Sequence, residues 1–165
     1  MAAQNPTDSA WSKPALLRQV VTLLVFVAIC FAAAGLGAAT SSSVGGWYQT
    51  INKPSWNPPD WIFGPVWTAL YLMMAVAAWE SWRTAGWSGS RTALTWFGIQ
   101  LALNSLWSIV FFGMQQPGWA FAEILLLWAA IAVTTWKFRR HSTGAFALML
   151  PYLAYLAGAL DRGNL

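Results

Sequence analysis

The sequence predicts an all-α integral membrane protein, a five-transmembrane-helix bundle with a long Trp- and Pro-rich first loop. Three observations lead there. The 165 residues are 58% hydrophobic and only 8% charged, against roughly 25% charged residues in a soluble domain. The apolar residues fall into runs of about the ~20 residues that carry a helix across a ~30 Å hydrocarbon core. No stretch alternates with period two over the ~10 residues of an outer-membrane barrel strand, so helices are the spanning structure.

Residues 1–14 are polar, with Pro6 and Pro14, and form an N-terminal tail with Trp11 at the interface. The first span is Leu16–Ala38. Its apolar run from Val20 to Ala39 is longer than a signal-peptide core, so a retained helix is expected rather than a cleaved leader. Gly35, Gly37 and Thr40-Ser41-Ser42-Ser43 should end it. The 39–57 connection is the one long loop, and it is too aromatic to be a disordered linker. Asn57 followed by Pro58 reads as N-cap and first position of the next helix. The remaining spans are Ile62–Trp82, Ala93–Gly113, Gly118–Trp136 and Thr143–Leu160, followed by a short tail at 161–165. Residues 15–160 thus make one membrane domain, and its short connections make successive helices antiparallel neighbours. Pro151 removes the hydrogen bond to the Ala147 carbonyl and predicts a bend in the last span.

Charge placement sets orientation. With five spans, Lys13, Arg18, Arg83, Arg91, Lys137, Arg139 and Arg140 lie on one side, and only Lys53 and Arg162 on the other. A positive-inside asymmetry of this size predicts a cytoplasmic N-terminus and an external Trp-rich loop, in a bacterial inner membrane. The net charge of +4 is then a basic rim beside anionic lipid, and nothing remains for nucleic acid to explain. Cys30 is the sole cysteine and His141 the sole histidine, so an intrachain disulfide and a Cys/His metal cluster are both excluded.

Thirteen tryptophans need a structural account first. Trp11, Trp61, Trp82, Trp87, Trp119 and Trp136 lie near predicted ends, where indoles form interfacial belts. Trp67, Trp107 and Trp128 lie within spans and need a partner for the indole N–H. In the third span Trp96, Gln100, Asn104, Trp107, Ser108 and Phe111 recur at helical spacing and share one face. Gln100 and Asn104 are too polar to face lipid, so this face looks into the bundle. There they either bond neighbouring helices, or Asn104 holds a ligand carbonyl or carboxylate against a wall of Trp107 and Phe111. The second span carries a comparable stripe of Trp67, Tyr71, Met74 and Ala78, and the fifth Pro151, Tyr152, Tyr155 and Ala159.

Before those spans, Trp47, Trp56, Trp61 and Trp67 sit beside Pro54, Pro58 and Pro59, which suits a stiff aromatic lid over an intramembrane pocket. Glu123 is the one acid well inside a span, a place suited to an interhelical hydrogen bond rather than a proton relay. No HExxH, GxSxG, P-loop or GxGxxG occurs, and no carboxylate pair could act as acid and base. No catalytic or metal-ligating residue is assigned. The chain reads as a binder of an apolar ligand.

Trp47-Tyr48, the run Lys53-Pro54-Ser55-Trp56-Asn57-Pro58-Pro59, Trp61, Phe63-Gly64, Val66-Trp67 and Leu70-Tyr71 resemble the translocator protein, or tryptophan-rich sensory protein, family (TspO/MBR). The likeness continues through Gln100-Leu101, Asn104, Trp107-Ser108, Phe111-Phe112 and Pro151-Tyr152-Leu153, and its KPxWxPPxW core is highly specific. It implies a five-helix bundle that often dimerises, with a pocket opening toward the first long loop. Members bind porphyrins, haem-like tetrapyrroles, sterols and synthetic benzodiazepine- or isoquinoline-type ligands. Bacterial members are associated with tetrapyrrole or pigment metabolism, and some degrade protoporphyrin in light. Carried over by motif, the pocket would use Tyr48, Trp67, Tyr71, Asn104, Trp107, Tyr155 and Ala159, with Trp47 and Trp56 in the lid.

The resemblance therefore implies a sensor, regulator or carrier for a porphyrin or haem-like tetrapyrrole, with no obligatory cofactor. A sterol or carotenoid-like ligand, a homodimer and a larger pigment–protein complex in which the chain is a structural or assembly subunit stay open. Two departures matter. The family usually has Trp at the position of Tyr155, which counts against a porphyrin-degrading enzyme while leaving binding intact. The fifth helix normally continues through an Asn-containing stretch to a basic end, whereas here Ala159-Leu160 is followed by Asp161-Arg162-Gly163-Asn164-Leu165. Six residues then separate Tyr155 from Arg162, one too many for the sterol motif.

Overall fold

A computed structural model describes residues 14–42 and 60–161. Among them every regular element is helical: α1 (Leu16–Ser42), α2 (Asp60–Ser108), a π-helical turn (Ile109–Gly113), α3 (Pro117–Arg139) and α4 (Thr143–Asp161). Four helices among the described residues are long and apolar enough to cross a membrane, α2 being counted together with its π turn. The Trp-rich stretch with its Asn57–Pro58 helix start, the N-terminal tail, Lys13, Lys53 and Arg162 lie outside the described residues.

The 49 residues of α2 do not form one rod. Helical φ/ψ is lost at Gly86 (φ 69°, ψ 179°), in a region that only glycine occupies readily. Beyond it the chain folds back. The Tyr71 hydroxyl donates to Asn104 at 2.7 Å and the Gln100 amide reaches the Met74 sulfur at 3.4 Å, pairings that a straight helix would hold tens of ångströms apart. The two arms, 60–85 and 87–108, are therefore an antiparallel pair hinged at one residue. The sequence predicts a loop over 83–92. Instead both arms stay helical up to Gly86, and in the first turn of the second arm Ser90 bonds back to the Gly86 carbonyl.

Side-chain contacts give the packing order. Along α1, Trp79 donates its indole N–H to Gln19 O at 2.9 Å and Phe31 lies 6.5 Å from the Tyr71 ring, so α1 runs antiparallel to the first arm. Phe26 meets Phe97 edge-on at 6.2 Å, and a Cβ on Gly37 would sit 3.0 Å from Ser108 Oγ, so α1 runs parallel to the second arm. Gly37 is thus a point of close approach and not a helix breaker. The predicted end of α1 at Ala38 is also too early, because Thr40 donates to Gly37 O (2.8 Å) and Ser41 to Ala38 O (3.0 Å). Both hydroxyls bond back to preceding carbonyls, so these residues lie within the helix instead of ending it.

α3 starts with Pro117 at its first position, where the missing N–H is no loss, and ends with Lys137 and Arg139 beside its carbonyl terminus. Ser142 caps α4 by accepting the Gly144 and Ala145 N–H groups at 3.1 and 3.3 Å. α4 continues through Pro151. Residue 67 meets 155, and 81 meets 141, so α4 is antiparallel to the first arm. The core between the helices combines small residues (Ala75, Ala77, Ala78) with large ones (Met74, Ile131, Phe138, Met149, Tyr152), a mixture that lets helix backbones approach closely.

The basic residues gather at one end. Arg18 lies 6.0 Å from the Trp82 ring, Arg83 lies 4.9 Å from Trp79 and pairs with Glu80 at 2.7 Å, and Arg139 stacks over Trp136 at 5.4 Å. Ser81 and His141 share a hydrogen bond of 2.6 Å there, and Ser142 donates to Glu80 at 3.3 Å. Trp61, Trp87, Trp119 and Trp136 are exposed, as interfacial indoles should be, but Trp82 is not. It is fully buried because Trp87 from beyond the Gly86 turn packs on it at 5.6 Å.

Burial and the neighbouring Arg140 hold the His141 imidazole below its ordinary value of 6.5. As pH falls through that value the unfolded chain takes up the proton first, so the folded state loses stability on the acid side. A melting temperature that drops between about pH 7.5 and about pH 5.5, with a smaller drop in His141→Gln, is the expected result. An equal drop in both would place the acid sensitivity elsewhere.

Candidate functional site

The buried polar centre lies where both arms of α2 meet α4. Asn104 is its hub: its amide oxygen accepts from Tyr71 at 2.7 Å, and its amide nitrogen donates to the Tyr152 hydroxyl. All three residues are buried. Helical periodicity explains the placement, since Gln100 and Asn104 are one turn apart and both turn inward. Gln100 sits deeper, with its nitrogen on the Met74 sulfur and its oxygen without a hydrogen-bond partner.

Aromatic rings enclose this hub on one side. Trp67 lies 5.9 Å from Tyr71 and meets Tyr152 and Tyr155 edge-on at 6.0 and 5.7 Å. Four of the residues singled out in the sequence, Trp67, Tyr71, Asn104 and Tyr155, are therefore brought together. Ala159, one turn beyond Tyr155 on α4, is half-buried. Trp107 and Phe111 form a separate stack one and two turns along the second arm, with ring centroids 5.0 Å apart and planes 12° from parallel, closed by Phe112 edge-on. The Trp107 and Trp128 indole N–H groups are buried and have no hydrogen-bond partner. Trp47, Tyr48 and Trp56 lie outside the described residues.

One feature of the centre is not assigned from sequence. Tyr152 was seen as part of a stripe, yet it carries the hydrogen bond that ties α4 to Asn104. Asn104 itself is already engaged on both its oxygen and its nitrogen. What remains for a ligand is one lone pair and one N–H. Among the described residues no group of three or more His, Cys, Asp or Glu could hold a metal ion. The centre offers hydrogen bonds and flat apolar surface, not a nucleophile with its base.

The TspO/MBR family profile aligns with residues 26–160. The chain belongs to the TspO/MBR family. It is 42% identical over 136 residues to a tryptophan-rich sensory protein of Cereibacter sphaeroides, covering 82% of this chain and 83% of that one. With the tryptophan-rich protein TspO of Chlorobaculum tepidum it shares 41% over 145 residues, 86% and 91% of the two chains. With the human translocator protein it shares 42% over 114 residues, 67% of each. Trp67, Tyr71, Asn104, Tyr152 and Tyr155 all fall within the part of the chain that the TspO/MBR profile covers.

Proposed function

We propose that this TspO/MBR protein binds a porphyrin or haem-like tetrapyrrole within the bundle and acts as a sensor, regulator or carrier in tetrapyrrole metabolism. The supporting observation is the convergence of Trp67, Tyr71, Tyr152 and Tyr155 around Asn104. A macrocycle with a flat face and a few polar edge groups needs broad aromatic surface for the first and a small number of placed hydrogen bonds for the second. The family membership and the sensory and translocator names of its relatives support the sensor or carrier part of the reading. Tyr155 places a phenol, not an indole, edge-on to Trp67, so the proposal is binding and not photochemical breakdown. Titration of protoporphyrin IX into the purified protein, read by absorbance, is the test. Wild type should saturate, and Trp67→Ala should bind roughly tenfold more weakly, a loss of ~1.4 kcal/mol. Absence of saturable binding, or equal binding by a folded Trp67→Ala, would remove the reading.

The proposal includes a topology. The two arms of α2 each have the length of a crossing, so the bundle spans five times. The N-terminus is cytoplasmic in a bacterial inner membrane, because the end carrying Arg18, Arg83 and Arg139 is the basic one. Cys30 is fully buried, so the native thiol is a silent background for labelling. A Ser43→Cys variant should react with a membrane-impermeant maleimide from the periplasmic side. Reaction from the cytoplasmic side alone would invert the topology.

A further inference from the structure

Glu123 is an acid that the bundle leaves without a partner. It lies within α3, is 8% exposed, and neither carboxyl oxygen has a hydrogen-bond partner. The one ion pair among the described residues, Arg83–Glu80, is at the other end of the bundle. A carboxyl closed off from water stays ionised only if something offsets its lost hydration, usually an opposite charge or a set of donors.

Beside it is space. Glu123 lines a cavity of about 330 Å³ together with Val110, Met114, Gln116 and Trp119. The cavity follows from how the second arm of α2 ends. Ile109–Gly113 widens into a π turn, with Met114 N–H bonded to Ile109 O at 2.8 Å and Gln116 N–H to Val110 O at 3.2 Å. The chain then passes through Gln115 at φ 54° before Pro117 opens α3. This wide exit lies beside the cavity, to which Val110 and Met114 contribute, and π turns recur at functional sites. The rim side chains Met114 and Trp119 are 61% and 73% exposed, so the cavity has an apolar, lipid-accessible mouth, and Glu123 belongs to its lining with both carboxyl oxygens turned away from water.

We infer that this cavity is a second binding site, which takes the primary ammonium head of an apolar-chain amphiphile. An ammonium supplies three N–H donors and the missing charge, and the two free oxygens of Glu123 and the amide oxygen of Gln116 supply acceptors. Trp119 adds an indole face of the kind that attracts cations. An anionic head is repelled by the carboxylate, and a quaternary ammonium has no N–H to give. The chain of the ligand lies along Val110, Met114 and Trp119, and unbranched Met114 can swing to admit it. The site is independent of the tetrapyrrole reading.

Two sources carry that chemistry, a bilayer phosphatidylethanolamine and a free long-chain amine. Native mass spectrometry of the full chain in detergent separates them, with phosphatidylethanolamine against phosphatidylcholine of the same acyl chains, and oleylamine against oleyl alcohol. Wild type should retain the ammonium member of at least one pair roughly tenfold better, and the pair that discriminates names the source. Glu123→Gln, which keeps the shape but not the charge, should abolish the preference. Met114→Trp, which fills the mouth and leaves the carboxyl, should abolish it too and decides the matter if Glu123→Gln does not fold. No preference in wild type, or a preference that survives in a folded Glu123→Gln or in Met114→Trp, overturns the assignment. Protoporphyrin titration of the same Met114→Trp sample should match wild type, which keeps this test separate from the tetrapyrrole one.

Discussion

Asn104→Leu should lower the stability of the folded bundle by about 2–3 kcal/mol, because it orphans two buried hydroxyls at once. Tyr71 loses its acceptor and Tyr152 its donor. Two magnitudes compete here. Unsatisfied buried groups cost about 1–3 kcal/mol each, whereas hydrogen bonds between membrane helices average only about 0.6 kcal/mol because freed groups find new partners. The first should win in this setting. Tyr71 and Tyr152 are 5% and 1% exposed, and the rings around them, Trp67, Phe31 and Tyr155, offer no replacement acceptor of comparable strength.

The same reasoning makes a sharper expectation for the triple variant Asn104→Leu, Tyr71→Phe, Tyr152→Phe. Removing all partners together leaves no orphan, so it should be more stable than Asn104→Leu alone. Denaturant unfolding in micelles, followed by tryptophan fluorescence, measures both. A single variant as stable as wild type would show that the hub is not what ties α4 to α2. The hub bears on the proposed tetrapyrrole binding as well. A tetrapyrrole edge group would meet an amide already oriented by two phenols, so loss of either tyrosine should weaken binding through that orientation.

The sequence made the inward face of the second arm legible, since the spacing of Gln100, Asn104 and Trp107 belongs to one helix and needs only its period. Trp67, Tyr71 and Tyr155 were readable for the same reason. The bond from Asn104 to Tyr152 was not, because it depends on the register between elements 48 residues apart, which no local pattern encodes. Trp82 shows the same limit: a tryptophan at a predicted helix end looks interfacial until a neighbour from across the turn covers it. Glu123 was visible as a lone acid, but its cavity depends on a π turn for which the run Ile109–Gly113 carries no evident signal. The apolar, helical character of the described residues was legible, and the helix ends were less so. Thr40 and Ser41 can either stop a helix or bond back along it, and local sequence does not decide between the two.

Gly86→Ala should destabilise the bundle by about 1–3 kcal/mol, the usual cost of holding a side chain in a glycine-only conformation. At φ 69° and ψ 179° the backbone has no relaxed alternative nearby. The one easy escape for alanine is ordinary helix, and that would continue the first arm straight into the second. Tyr71 and Asn104 would then stand about 50 Å apart along the axis instead of 2.7 Å. The hub therefore holds the strain in place. Gly86→Val should be worse still, since a branched Cβ tolerates that region least. Gly98→Ala is the matched control: it lies inside the second arm with no atom within 4 Å of the added methyl, and should be neutral or gain up to ~1 kcal/mol from helix propensity. Equal unfolding midpoints for Gly86→Ala and Gly98→Ala would mean that the arms are joined by an ordinary helical bend, and that the fold-back rests on side-chain contacts alone.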